Sequence, residues 1–331
     1  MPHLTPGQLR FFEENGYLII DDVLSEADLA AIRAEYNAIL DREVPRLIAE
    51  GKVVDDLPGA TFEARYAHVL PQLSKMYDLY QHLDISLPLL HRMEPDATLN
   101  AGPAVFNNVL RNSDLLDIAE SILGPEIDCN PVQHTRIKPP RSRLSNNELD
   151  SNVARTMLHQ DEGVLNTDID DDMHMLTVWV AMTDATPENG CMMAYPGSHR
   201  GGITMHCPGD SFSSAEFFIP DELAKGDWVP MPVKAGGVAL LHQKTIHGSL
   251  ENRTSSIRWS FDLRYNARGQ RSGRQVFPSF LARSRSEPEA ELTDASEYER
   301  RWFSARDDLA AKGDLAFNER WKPFSAHPLC A

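Results

Sequence analysis

The segment Ser256-Ile257-Arg258-Trp259-Ser260-Phe261-Asp262-Leu263-Arg264-Tyr265 alternates polar and apolar residues over ten positions. Only an extended strand puts every second side chain on one face, so this stretch constrains the fold strongly. Its apolar set is Ile257, Trp259, Phe261, Leu263 and Tyr265, with Arg258, Ser260, Asp262 and Arg264 opposite. The polar face either meets solvent or lines the cavity of a barrel whose aromatic face packs on helices.

Further strands are predicted at Cys129–Lys138, Met157–His159, Met175–Met182, Cys191–Tyr195 and Gly237–Leu241, separated by Gly and Pro turns. Short strands with such punctuation suit an all-β barrel core. Helices are expected ahead of them. Thr5 and Pro6 open one that Gly16 closes, Ser25 with Asp28 caps a second reaching about Glu43, and Ser113 caps a third ended by Gly124-Pro125. No internal repeat is visible, and 331 residues are expected to form one domain, with a polar, helical, peripheral extension from about residue 281.

Chemistry enters with His159-Gln160-Asp161 and His247-Gly248-Ser249. Across one intervening residue of an extended segment, His159 and Asp161 face the same way and can share a metal ion, with His247 at a strand end as the third ligand. Two imidazoles and one carboxylate on one face of Fe(II) leave three positions for a chelating cosubstrate and oxygen. Arg258, eleven residues after His247, offers a planar fork for a carboxylate that a lysine would not reproduce. His242 has the opposite parity to His247, His199 belongs to a Pro-Gly-Ser-His turn, and His174 stands beside an acidic run; none is expected to be a ligand.

In order and spacing, His159-x-Asp161, Leu176 to Gly190, Pro196-Gly197-Ser198-His199, and His247-Gly248-Ser249 followed by Arg258 resemble the phytanoyl-CoA dioxygenase family. Phe12 to Ile20 resembles the family's opening helix-to-strand unit, so the likeness covers roughly residues 5 to 270. It implies a mainly β fold with flanking helices, the double-stranded β-helix or cupin-like jelly roll, using Fe(II), 2-oxoglutarate and O2. By that likeness His159, Asp161 and His247 hold the metal, Arg258 takes the far carboxylate of 2-oxoglutarate and Ser249 assists. Trp179 either flanks the cosubstrate or is a core aromatic. Lys138-Pro139-Pro140 resembles another family segment whose strand carries His134 toward the pocket, where the family often has a different cosubstrate-contacting residue. The implied reaction is oxidation, above all hydroxylation, of a small molecule with release of succinate and CO2. A jelly-roll isomerase or hydrolase without the cosubstrate, in which Arg258 and Ser249 have no special purpose, and a noncatalytic binding protein are the alternatives.

A net charge of −17 argues against nucleic acid or an anionic membrane as partner. No apolar run approaches the roughly 20 residues that span a bilayer, and Met1 to Thr5 lacks a signal pattern, so a cytoplasmic location is expected. Cys129, Cys191, Cys207 and Cys330 show no metal spacing and are expected as free thiols. Arg136, Lys138, Arg141 and Arg143 read first as a solvated basic stretch and second as an attractor for an anionic substrate. The loop 139–155 is either a lid or a plain mobile loop, and the acidic run 168–172 is read as a solvated turn before a cation site. Neither substrate nor oligomeric state is written in these motifs.

Overall fold

The computed structural model describes residues 3–88, 92–144, 154–165, 173–208, 217–313 and 320–330. The acidic run 168–172 and most of the expected lid, residues 145–153, lie outside the described residues.

Helix α1 (Pro6–Asn15) starts on a reciprocal Thr5/Gln8 capping box and ends at Gly16, whose φ of 76° favours glycine. Strand β1 (Tyr17–Ile20) follows, then α2 (Glu26–Ala49) on a Ser25/Asp28 capping box. Helix α2 passes its expected end at Glu43 and continues through Pro45. The proline removes one backbone donor, but Val44 and Leu47 on either side are fully buried, and their packing holds the helix together. Helix α3 (Phe62–Val69) packs across α2. The helix Ser113–Leu123 is capped by Asn112 in place of the expected Ser113, because the Asn112 side chain reaches the free N-H groups of Asp114 and Leu115.

The larger sheet is antiparallel in the order β1-β8-β3-β10-β2-β11. Its further members are β2 (Glu126–Lys138), β3 (Met175–Ala181), β8 (Val238–His242), β10 (Arg258–Ala267) and β11 (Phe280–Ser284). A smaller sheet runs β7-β4-β9, with β4 (Met192–Ala194), β7 (Val229–Met231) and β9 (His247–Ser249). A two-stranded ribbon pairs β5 (Cys207–Pro208) with β6 (Phe217–Phe218). The apolar face of β10 packs outward on the helices: Trp259 lies 4.7 Å from Tyr36 of α2 and 4.6 Å from Phe62 of α3, ring centre to ring centre. The opposite face meets the smaller sheet, where Trp179, Ala181, Ala239 and Leu241 join Met192, Ala194 and Met231 in one apolar cluster. Two facing antiparallel sheets with helices on one outer side make a jelly roll. Arg258, Ser260 and Arg264 are buried between the layers and Asp262 half-buried, so the polar face of the alternating strand lines a cavity.

The last fifty residues are less peripheral than the sequence suggests. Residues 280–284, placed at the start of the extension, complete the sheet as β11. The helix Ala295–Lys312 buries Tyr298, Trp302 and Leu309, a narrow apolar stripe hidden in a polar, charged segment, and Trp302 packs on Phe277 at 5.2 Å. The expectation of four free thiols is overturned at two of them: Cys207 and Cys330 form a disulfide, with Cα atoms 5.2 Å apart across 123 residues of chain. Such a pairing has no local signal, because only the returning tail brings it together. Cys129 and Cys191 are free and buried.

Candidate active site

His159 and His247 are joined by reciprocal backbone hydrogen bonds, N to O at 2.9 and 3.0 Å. This bridge sets their rings side by side with centroids 4.3 Å apart. Gln160 is extended, φ −115° and ψ 135°, so Asp161 projects to the same side as His159 before the chain turns into Asp161–Val164. One donor atom from each of His159, Asp161 and His247 lies within 4.8 Å of the others. Each imidazole has its Nδ1 on a backbone carbonyl, Met157 O at 2.8 Å and Thr245 O at 2.9 Å. A carbonyl only accepts, so each Nδ1 carries the hydrogen and each Nε2 turns its lone pair toward the cluster. Burial, and then the nearby His247, hold His159 down to about 3, so it is neutral and able to ligate at physiological pH.

Asp161 is fully buried and fixed at both oxygens: Arg264 Nη2 donates to Oδ1 and Thr177 Oγ1 to Oδ2. Burial alone would raise its pKa, but the charge of Arg264 and the Thr177 hydrogen bond outweigh it and keep the carboxylate ionised. Sheet register explains this grip, since Arg264 of β10 pairs directly with Thr177 of β3 and both face inward. Two imidazoles and one ionised carboxylate form a donor set suited to a divalent first-row metal such as Fe(II).

Arg258 is 2% exposed, and no carboxylate of the described residues pairs with it. Nη1 donates to Ser260 Oγ at 2.8 Å, Nε has no partner, and the guanidinium lies 5.2 Å from the centre of the Trp179 ring. Burial is the main reason its pKa falls to about 10. A buried guanidinium without a counter-charge is expensive and fits a pocket that takes its anion from a ligand. Trp179 is a core aromatic of the inter-sheet cluster, and its ring also backs Arg258.

Ser249 adds a directed donor. Its Oγ accepts from Lys138 Nζ at 2.7 Å and from Thr156 N at 3.1 Å, which occupies both lone pairs and leaves its own O-H to donate. Lys138 is buried directly across from Arg258 in the β2/β10 register and also donates to Ala154 O and Leu250 O. Burial first, then the charge of Arg258, push its pKa well below that of a free lysine. Gly190, at φ 89°, makes room for it, since a Cβ there would meet Lys138 Cδ at 2.8 Å.

His134 faces the cavity opposite Asp262, but its Nδ1 is tied to Asp84 Oδ2 at 3.0 Å. His242 lies on β8 beside His199, with ring centres 4.9 Å apart, and takes no part in the cluster. Arg264 and Thr177 carry no motif of their own, although strand parity with Arg258 and Trp179 marks the faces they share, and Lys138, expected in a solvated basic stretch, is instead buried against Ser249. The brace behind the metal loop has no sequence signal. Gln160 Nε2 donates to Gly202 O and Lys244 O at 2.8 and 2.7 Å, and its backbone N-H donates to His206 Nε2 at 3.0 Å. Trp321 from the tail stacks on His206 and donates to Gly163 O at 2.6 Å.

A jelly roll with two imidazoles and a held carboxylate, and a buried arginine on the same sheet awaiting an acid, has the design of an oxygenase that uses iron and 2-oxoglutarate. Residues 12–260 match the family model described as phytanoyl-CoA dioxygenase. A Mus musculus protein, phytanoyl-CoA dioxygenase domain-containing protein 1, is 36% identical over 80% of this chain and 90% of its own length. The peroxisomal phytanoyl-CoA dioxygenase of Homo sapiens is 26% identical over 77% of this chain and 66% of its own. Among solved structures, the non-heme monooxygenase ThoJ in its apo form aligns over 92% of this chain and 97% of its own, with a TM-score of 0.57 at 19% identity, a likeness of fold. The chain belongs to the phytanoyl-CoA dioxygenase family and is an Fe(II)- and 2-oxoglutarate-dependent dioxygenase.

Proposed function

We propose that this enzyme hydroxylates a free small-molecule substrate, with His159, Asp161 and His247 as the iron ligands and Arg258 and Ser249 as the grip on the far carboxylate of 2-oxoglutarate. The observation that carries the reading is Arg258, a buried cation with a free Nε and no acid of the described residues to answer it. An isomerase or hydrolase without the cosubstrate gives that arginine nothing to do. Iron with 2-oxoglutarate and O2 bound would supply the oxidising power, with succinate and CO2 as coproducts. The residues of the chain position and protect. Met157 O and Thr245 O fix the tautomers, Arg264 and Thr177 keep Asp161 ionised and oriented, and Trp179 covers one side of the Arg258 fork. His134, tied to Asp84, would border the cosubstrate without ligating metal.

The same proposal takes residues 1–331 as one catalytic domain working in the cytoplasm. Among the described residues no helix is long and apolar enough to cross a membrane, and the charge of −17 supports a small-molecule partner over a polyanion.

The test is an anaerobic titration of the Fe(II)-loaded protein with 2-oxoglutarate, read by the visible charge-transfer band of an iron-chelated keto acid. Appearance of the band at one equivalent is expected. Iron binding with no band would transfer the site to the cosubstrate-free alternatives.

Lys138 should act as a positioning residue in this grip. Lys138→Met is expected to raise the KM for 2-oxoglutarate about tenfold while kcat changes little, since the Ser249 hydroxyl then loses its orientation and the pocket one positive charge. Equal losses in kcat and kcat/KM would remove Lys138 from cosubstrate binding.

A further inference from the structure

Along the larger sheet and the turn that follows β10, more guanidinium groups gather than the carboxylates of the described residues pair. Arg136 of β2 lies opposite Ser260 of β10, with 45% of its side chain exposed. Its one acidic neighbour among the described residues is Asp262, at a loose 3.9 Å, and that carboxylate is already 3.4 Å from Arg264. Arg274 follows β10 in a turn that Asn130 Nδ2 ties to β2 by donating to Ser272 O at 3.1 Å. It is half-buried, and no carboxylate of the described residues forms an ion pair with it. Burial, and after it the charges of Arg264 and Arg136, bring Arg274 down to about 10.

Two other acids of the described residues, Asp84 and Asp161, are committed. Asp84 receives His134 Nδ1 on one oxygen at 3.0 Å and the backbone N-H groups of Ile85 and Thr135 on the other, both at 2.8 Å. Asp161 is held at both oxygens by Arg264 and Thr177. Bound 2-oxoglutarate does not balance the count either. Its keto-acid end belongs to the metal, and its far carboxylate can answer one guanidinium, leaving two of Arg136, Arg258 and Arg274 without an anion among the described residues.

We propose that Arg136 and Arg274 form an anion subsite at the metal-facing cavity, for a carboxylate or phosphoryl group carried by the substrate close to the carbon that is oxidised. The inference rests on the dioxygenase reading and narrows its substrate class. The contacts run from Arg136 to Asp262, Arg264 and Asp161, so an anion held here lies near the metal cluster. A thioester is uncharged beside its acyl chain, and the phosphates of coenzyme A lie a long pantetheine arm away. The subsite therefore favours a free acid or a phosphate ester over an acyl-CoA. Planar guanidinium pairs suit both anions, and the remainder of the protein, at −17 overall, confines the attraction to this cavity.

The test is calorimetric titration of the anaerobic Fe(II)- and 2-oxoglutarate-loaded enzyme with four probes of one chain length: hexanoate, hexyl phosphate, hexanamide and hexanoyl-CoA. One of the two small anions is expected to bind at least about tenfold more tightly than hexanamide, the value of a charge-assisted pair. Which of the two binds more tightly separates the acid from the phosphate ester. Arg136→Gln and Arg274→Gln should each remove about tenfold of that preference and leave the 2-oxoglutarate titration within twofold of the parent. Equal binding of hexanamide, an arginine-independent preference for hexanoyl-CoA, or a loss that falls on 2-oxoglutarate affinity would each overturn the subsite. A parent protein lacking the keto-acid band fails the dioxygenase reading separately, because anion preference and its arginine dependence are still measured on the iron-loaded protein.

Discussion

Arg258→Met is expected to bind 2-oxoglutarate at least about a hundredfold more weakly and yet, without cosubstrate, to unfold at a higher temperature than the parent. Both effects follow from one buried charge. In the ligand-free chain the guanidinium is 2% exposed, has one neutral partner in Ser260 and leaves Nε unsatisfied. A side chain of similar reach without the charge removes that desolvation cost, which commonly stabilises by about 1–4 kcal/mol, a few degrees in Tm. With cosubstrate present the order reverses. The parent gains about 2.7 kcal/mol at a hundred times its Kd, whereas the variant has lost a buried charge pair worth about 2–5 kcal/mol of binding. Thermal unfolding with and without 2-oxoglutarate, beside the keto-acid band, reads both. A variant less stable than the parent in the absence of ligand would mean that Arg258 serves the fold, and the cosubstrate role would lose its main support.

The second large effect separates two proposed ligands that sequence motifs treat alike. Asp161→Ala and His247→Ala should both abolish iron binding and turnover, but only Asp161→Ala should also weaken the fold by about 3–5 kcal/mol. Arg264 is fully inside the sheet sandwich and Asp161 is its main counter-charge, with Asp262 3.4 Å away as a poor substitute. Removing one member of a buried pair strands the other, whereas His247→Ala leaves the Arg264–Asp161 pair in place. Metal analysis together with denaturant unfolding of the two variants checks this. Equal stability losses would show that Arg264 does not depend on Asp161. Iron retained by either variant would remove that residue from the ligand set.

Much of this arrangement was legible in the chain. Strict alternation from Ser256 to Tyr265 announced a strand with one polar face, and an H-x-D pair on extended backbone announced two groups on one side, because a strand's period of two is a property of covalent geometry. Helix starts at Thr5 and Ser25 were equally local, since a cap needs only neighbouring residues. The Asn112 cap and the passage of α2 through Pro45 depart from the local expectation, because side-chain reach and burial decide them and local propensity does not.

What the sequence determined by itself is therefore the periodicity, the caps and the chemical types available at each face. Tertiary structure alone decided which face became the cavity, and it did so because Tyr36 and Phe62 cover the aromatic side of β10 and leave Arg258, Ser260 and Arg264 to the interior. It also decided that Arg264 clamps Asp161, that Lys138 aims Ser249, and that the tail returns to stack Trp321 on His206 and pair Cys330 with Cys207. These partners lie 103, 111, 115 and 123 residues apart. Contacts over such separations exist only once the sheets have closed, since no short-range rule of backbone geometry links their positions.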